Sequence, residues 1–368
     1  MWFHLMIIGI LLFLAISIFN KGETKQRKKI YLRSVFFLLF FISAFRSINI
    51  GNDTVEYSRM FDVFGTASNI FNLNTRYELG YVLLNKILYS IWNNKLILFI
   101  VTSAFILGSW MKFINVYSSR TWLSVYLFIN LRIFYFTLSG LRQSISMAIL
   151  LISYKYIMEK KLFSFISLVF IASLFHSSAI IFLLVYPLSR IKFNFKFLAV
   201  ESLVSMVVYY TFETFISIAL RIFPQYQSYV KGVYFDGDVR VASIMSFLVI
   251  IIILIFGIMT NIKYVRKQEK IVPKNQSEVN LLLHIVSLAT SVYFIAINAN
   301  LLSRIGLYFF MFTVVFIPKC IENIKDKRAA LIINYLLLIF ALAYNLVILI
   351  YRPNWQHVYP YEFFWQLI

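Results

Sequence analysis

The chain has 368 residues, of which 61% are hydrophobic, 19% aromatic and only 14% charged. Its mean hydropathy is +0.80, outside the range of soluble domains. A net charge of +20 would suggest nucleic acid in a soluble protein. Here the basic residues sit in short clusters between apolar runs, which points to membrane orientation and excludes nucleic acid as the partner. The single cysteine excludes an internal disulfide, and four scattered histidines give no zinc-type spacing.

The composition predicts an all-α polytopic membrane protein, a single integral membrane domain over 1–368. The opening run, Trp2 to Phe19, lacks a basic leader and a small-residue cleavage site and reads as a retained span. Further spans are predicted at 31–46, 95–114, 121–138, 141–158, 197–220, 241–261, 280–298, 303–320 and 329–351. The basic clusters "KGETKQRKK", "EKK", "RIKFNFK", "KYVRKQEKIVPK" and "KDKR" are all expected to face the cytoplasm. Both ends of the apolar run between "EKK" and "RIKFNFK" must then lie on one side. A single crossing cannot do that. The remaining solution is two short helices meeting near "FHSSA", each about 14 residues or roughly 21 Å long. The same parity argument makes "GYVLLNKILYSIW" a re-entrant or interfacial helix on the outer side. The count becomes about 12 transmembrane helices, with larger external segments at 46–94 and 221–240.

Basic residues placed outside by this topology are mostly arginines, among them Arg46, Arg76, Arg142 and Arg304. The planar fork of arginine suits phosphates and carboxylates, so an anionic ligand is expected there. The segment "RSINIGNDTVEYSRMF" opens the first large external stretch, with Gly51 allowing a turn and Asp53 in position to cap a helix from Thr54. Glu56 and Arg59, three residues apart, read as a solvated pair. "TRYELGY" sets Arg76 and Glu78 just before the re-entrant helix. "SGLRQSISMAI" puts Arg142 and Gln143 in the first turn of a span. A cation there opposes the helix dipole, so either a bound anion or lipid phosphates would account for it. "SLFHSSAI" carries His176 at the turn between the short helices, where an ionisable residue within the membrane suggests function. A Ser-His nucleophile pair lacks a third orienting group.

"SRIGLYFF" brings Arg304 and, one turn on, Tyr308. "RPNWQHVYPYEFFW", which includes Tyr361, has the aromatic content of an interfacial belt. The loop "RIFPQYQSYVKGVYFDGDVR" offers tyrosines that could line a sugar channel. His4, His284, Glu201 and Glu213 are isolated and read as structural.

Taken in order, "RSINIGNDTVEYSRMF", "YELGYVLLNKI", "GLRQSISMAI", "FHSSAI", "SRIGLYF" and "VYPYEFF" resemble the EpsG-like branch of Wzy-type bacterial polysaccharide polymerases, from about residue 40 to the C-terminal end. The resemblance implies a GT-C-like helical architecture in the bacterial inner membrane, with an active site facing the periplasm or exterior. It also implies a metal-independent glycosyltransferase with no cofactor. Such an enzyme moves a growing glycan from undecaprenyl diphosphate onto a new lipid-linked repeat unit. Its partners would be undecaprenyl-diphosphate-linked oligosaccharide, membrane lipids and, where chain length is set, a regulator of it. Developing charge on the leaving diphosphate must be met by cations, for which Arg46, Arg142 and Arg304 are the candidates. The acceptor hydroxyl needs a base, for which Asp53 or Glu78 is favoured, with His176 as assisting base or diphosphate ligand. Tyr57, Arg76, Gln143, Tyr308 and Tyr361 are expected to touch substrate.

An O-antigen-type ligase would share the donor chemistry. A lipid-linked oligosaccharide flippase or transporter would instead spread ionisable groups through the midplane, often in internal repeats, and no repeat is visible. A membrane acyltransferase would call for a His-acid neighbour pair that the sequence lacks.

Overall fold

A computed structural model describes residues 2–70, 75–222, 240–266 and 277–367. The described residues form helices and no named strand. The chain divides into two compact units. The first comprises residues 1–156, 163–180 and 325–368, and the second comprises 157–162 and 181–324.

In the first unit, α1 (Trp2–Phe19) and α2 (Lys25–Ala44) are followed by the shorter helices α3 (Thr54–Thr66) and α4 (Leu79–Ile91). Then come α5 (Leu96–Tyr117), α6 (Thr121–Asn130), α7 (Ile133–Ser139), α8 (Leu141–Met158) and α9 (Leu162–Ser173). Helix α2 starts where the Thr24 hydroxyl accepts the Arg27 N–H, satisfying one of the orphan donors of the first turn. It packs along α5, while α3 packs on α4 and α1 on both α2 and α6. Trp110, Phe128 and Phe134 are fully buried in this core.

The second unit holds a short helix α10 (Val185–Leu188), then α11 (Phe195–Tyr210), α12 (Phe212–Ile222), α13 (Val241–Thr260) and α14 (Ile262–Arg266). It continues with α15 (Ser277–Ile295), α16 (Ser303–Phe310) and α17 (Thr313–Glu322). Helix α15 packs against α11, α13 and α16 and is largely buried. Its His284 bonds the Ile191 carbonyl at 2.9 Å, and Ser287 bonds Glu201, which gives both polar groups internal partners. The chain returns to the first unit with α18 (Lys327–Tyr351), capped by Asp326.

Five of these helices, α1, α5, α13, α15 and α18, are long and apolar enough to cross a membrane. Three bent pairs raise the number to eight if each is one span. That is fewer than the expected twelve. The other four expected spans, 31–46, 141–158 and the two short helices around "FHSSA", fall outside that measure of length and composition, and two of the expected single runs are bent. The run 121–138 is broken at Leu131 and Arg132, where α6 and α7 meet at 52°, because Arg132 adopts a left-handed φ of 67°. The run 303–320 is likewise bent by 51° between α16 and α17. The expected pair of short helices around "FHSSA" is present as α9 and a 3₁₀ run at Ser177–Leu184 that passes into α10. The expected external loop at 221–240 lies outside the described residues except at its ends.

The break at Arg132 brings polar groups into the bundle, where each needs an internal partner. Asn345 of α18 answers two of them. Its Oδ1 accepts from Arg132 Nη1 at 3.1 Å, and its Nδ2 donates to Asn130 Oδ1 at 3.2 Å. Gln356 donates to the Arg132 carbonyl at 3.3 Å, and the guanidinium lies over Tyr135 at 4.6 Å. His4, read from sequence as structural, bridges Tyr135 and the Val358 carbonyl, both at 3.1 Å. Replacing Asn345 with Leu leaves Arg132 and Asn130 each short of a partner. The expected cost is about 1–3 kcal/mol per group, read as a lowered midpoint of thermal unfolding in detergent. An unchanged midpoint would show that the break holds without Asn345.

Candidate functional site

The polar groups that the sequence scatters through "YELGY", "GLRQS" and "FHSSA" meet in the first unit around one carboxylate. Glu78 sits immediately before α4 in extended backbone conformation. Its Oε2 accepts from Arg142 Nη1, and its Oε1 accepts the Ser177 N–H at 3.0 Å. The same Oε1 lies 3.4 Å from His176 Nδ1. One carboxyl group thus holds a guanidinium, an imidazole and a backbone N–H that come from separate parts of the chain.

Local structure explains how they arrive. Ser177 opens the 3₁₀ run after the α9 turn, so its N–H is an orphan donor that a carboxylate can satisfy. Gly80 packs directly on the preceding turn, donating its N–H to the Leu174 carbonyl at 2.9 Å. A Cβ at Gly80 would stand 2.8 Å from that carbonyl oxygen. The absence of a side chain at this position is what lets α4 begin against the His176 turn. On the other side, Ser146 of α8 bonds the Ala172 carbonyl at 2.6 Å, fixing α8 to α9 and Arg142 beside the turn.

Electrostatics favour a permanently charged Glu78. Burial alone would raise its pKa, but the hydrogen bond with His176 and the charges of Arg142 and His176 outweigh that and bring it from 4.5 down to about 2. The stabilisation it contributes is full above its ordinary pKa and is lost only as pH falls through about 2. A carboxylate so acidic is a weak base and a strong orienting group for an imidazole.

The aromatic surroundings extend the cluster. Arg142 lies over the Tyr77 ring at 4.5 Å and hydrogen-bonds Tyr57. Tyr77 stacks with Tyr81 at 5.8 Å and donates its hydroxyl to Glu56 at 3.3 Å. Arg76 lies over the same ring at 5.7 Å. Gln143, next to Arg142, is buried. The Glu56–Arg59 pair forms as read from sequence, with two bonds of 2.9 Å. The link from Tyr77 to Glu56 could not be read from the spacing of Glu56 and Arg59, because it crosses from α4's approach to α3.

Other predicted residues fall elsewhere. Asp53 does precede α3, but its side chain makes no capping bond; Thr54 turns instead onto the Ile50 carbonyl at 2.6 Å. The turn at Gly51 is confirmed by its φ of 94° and by a Cβ position only 2.2 Å from the Leu138 oxygen. Arg46 is buried and lies over the Phe99 ring at 4.4 Å. Tyr361 donates to the Ile42 carbonyl and stacks on Phe3 at 4.5 Å, which commits it to holding its own segment in place. Arg304 and Tyr308 belong to the second unit, the first exposed at the start of α16 and the second fully buried.

Several apolar helices long enough to cross a membrane mark an integral membrane protein, and its first unit holds a part-buried carboxylate, arginine and histidine cluster. A family model identifies it further: residues 29–363 match the EpsG family, and the chain belongs to that family, which is associated with polysaccharide polymerases. No curated protein and no solved structure gives a significant match.

Two measurements check the cluster. Glu78→Ala and Arg142→Ala should each cost about 1–3 kcal/mol, the penalty for leaving a part-buried charge without its hydrogen-bond partner, and the double variant should cost less than their sum. Additive losses would mean the two side chains do not share their charge. Gly80→Val should abolish function with little loss of membrane insertion, and wild-type function in that variant would separate α4 from the His176 turn.

Proposed function

We propose that the protein is a Wzy-type polysaccharide polymerase, a glycosyltransferase that transfers a growing glycan from undecaprenyl diphosphate to a new lipid-linked repeat unit. In this reading the Glu78 centre faces the outer side of the bacterial inner membrane and works without a metal ion. Family membership supports the substrate class. The observation that carries the reaction is the sharing of Glu78 between Arg142, His176 and the Ser177 N–H.

The chemistry follows from the roles these groups can play. Glu78 holds the Nδ1 side of His176, which raises the basicity of the imidazole and fixes its plane, as a carboxylate does in a His-acid pair. His176 takes the proton of the acceptor hydroxyl while its oxygen attacks the anomeric carbon. The bond from that carbon to the diphosphate breaks with its electron pair on the leaving oxygen. Arg142, at the first turn of α8 with Tyr57 and Tyr77 about it, supplies positive charge for that oxygen. In this reading the base is His176, in place of Asp53 or Glu78, the two that the sequence favoured. Asp53 stays outside the scheme because no contact ties its side chain to the cluster.

A transporter built on broken helices would offer the backbone at the break to its cargo. At the Leu131–Arg132 break the Arg132 carbonyl is taken up by Gln356 and the Arg132 side chain by Asn345, which favours the enzymatic reading.

His176→Ala should lower turnover of purified lipid-linked repeat unit by about 10²–10⁴-fold while the protein inserts and binds lipid normally. Glu78→Gln should lower turnover as well and displace its pH profile. Full turnover by His176→Ala would place the base elsewhere.

A further inference from the structure

The first unit also has a cleft that the proposed chemistry leaves unused. It has a volume of about 190 Å³ and is lined by Arg46, Ile48, Asn94, Lys95, Leu96, Phe99 and Phe364. Neither Glu78 nor Arg142 nor His176 lines it.

Arg46 is the reason to regard this cleft as a site. Only 1% of the residue is exposed. Its Nη1 donates to the Ser43 carbonyl at 2.5 Å, but Nε and Nη2 are buried with no acceptor. The Phe99 face, 4.4 Å away, favours the cation without accepting hydrogen bonds from it. Leaving donors of a buried guanidinium unmet is costly, and an oxyanion with several lone pairs meets them most economically. The rest of the lining agrees. Lys95 adds a second cation, paired at 3.3 Å with the half-exposed carboxylate of Asp62. The Asn94 carbonyl oxygen is taken up by the Leu96 N–H at 2.9 Å, so its amide group remains to donate. The 22-residue helix α5 begins at Leu96 and presents its positive end to the same place. Ile48, Leu96, Phe99 and Phe364 are apolar. A cleft with cations on one side and hydrocarbon on the other matches a phosphate group attached to a lipid chain.

Backbone bonds hold the lining in register. Phe364 N–H donates to the Phe45 carbonyl at 3.0 Å, and Ser47 N–H donates to the Glu362 carbonyl at 2.9 Å, on either side of Arg46.

We propose that the Arg46–Lys95 cleft binds the phosphate of a phosphate-bearing lipid, as an anion site separate from Arg142. Giving this lipid the role of a second substrate rests on the polymerase reading, in which donor and acceptor both arrive on lipid phosphates; the binding itself does not.

The full chain in phosphatidylcholine nanodiscs is titrated with a fluorescent polyprenyl monophosphate. Polyprenol, inorganic pyrophosphate and phosphatidylglycerol serve as competitors. Arg46→Gln should weaken binding at least about tenfold, as loss of a charge-assisted contact does, and Lys95→Gln and Phe364→Ala should weaken it less. Polyprenol should fail to compete. Competition by pyrophosphate supports a site for the phosphate itself, and competition by phosphatidylglycerol supports one open to bulk lipid head groups. Wild-type affinity in both Arg46→Gln and Lys95→Gln, equal competition by polyprenol, or no saturable binding by the wild type overturns the proposal. Should Arg46→Gln fail to fold, Lys95→Gln and Phe364→Ala decide it on the same terms. A wild-type protein that binds the probe but fails the polymerase assay counts against the catalytic reading alone.

Discussion

A carboxylate placed among apolar helices must find its counter-charge and its hydrogen-bond donors inside the protein, and Glu78 finds all of them in Arg142, His176 and Ser177. Much of the first unit is arranged around that requirement. The approach of α4 to the α9 turn brings Ser177 and His176 within reach, the α8–α9 bond through Ser146 sets Arg142, and the Tyr57–Tyr77–Tyr81 cluster walls the group between α3 and α4. Geometry and charge act together here. The cation keeps the carboxylate ionised despite its burial, and the ionised carboxylate in turn holds the imidazole.

The same demand for internal satisfaction shapes the bundle away from the centre. Where α6 and α7 part at Arg132, the break exposes polar groups that α18 and the segment after it close again through Asn345 and Gln356. In the second unit, Glu201 and His284 are treated in the same way by Ser287 and the Ile191 carbonyl. Each of these groups finds at least one internal partner, although Arg132 Nε and His284 Nδ1 are buried without one. Arg46 leaves two such nitrogens, Nε and Nη2.

Sequence made the helical class legible, because long apolar runs have few other solutions. It also gave the turn at Gly51, the paired short helices around His176 and the Glu56–Arg59 pair, all of which depend on neighbours in the chain. It could name Glu78, Arg142 and His176 separately, but nothing local joins residues 64 and 99 positions apart. Only Gly80, whose close approach to Leu174 is invisible until the turn is built, hints that α4 must begin there. Hydropathy reads 121–138 as one rod, and a single left-handed residue, which carries no hydropathy signature, breaks it. Asp53 shows the opposite failure: its spacing suits a cap, yet Thr54 makes the bond to the preceding turn instead.

The segment at 355–364 is bound to the loop at 45–52 through main-chain and side-chain bonds at Phe45, Ser47, Gly51 and Asn52. The second unit is encoded between these partners. As the chain emerges from the ribosome, the Arg46 loop is made early and its wall of Phe364 more than three hundred residues later. The first unit therefore cannot close until the whole second unit has been synthesised and inserted. Completion of the cleft waits on residues made after the second unit, and a chain interrupted before residue 355 would lack the Phe364 wall of that cleft.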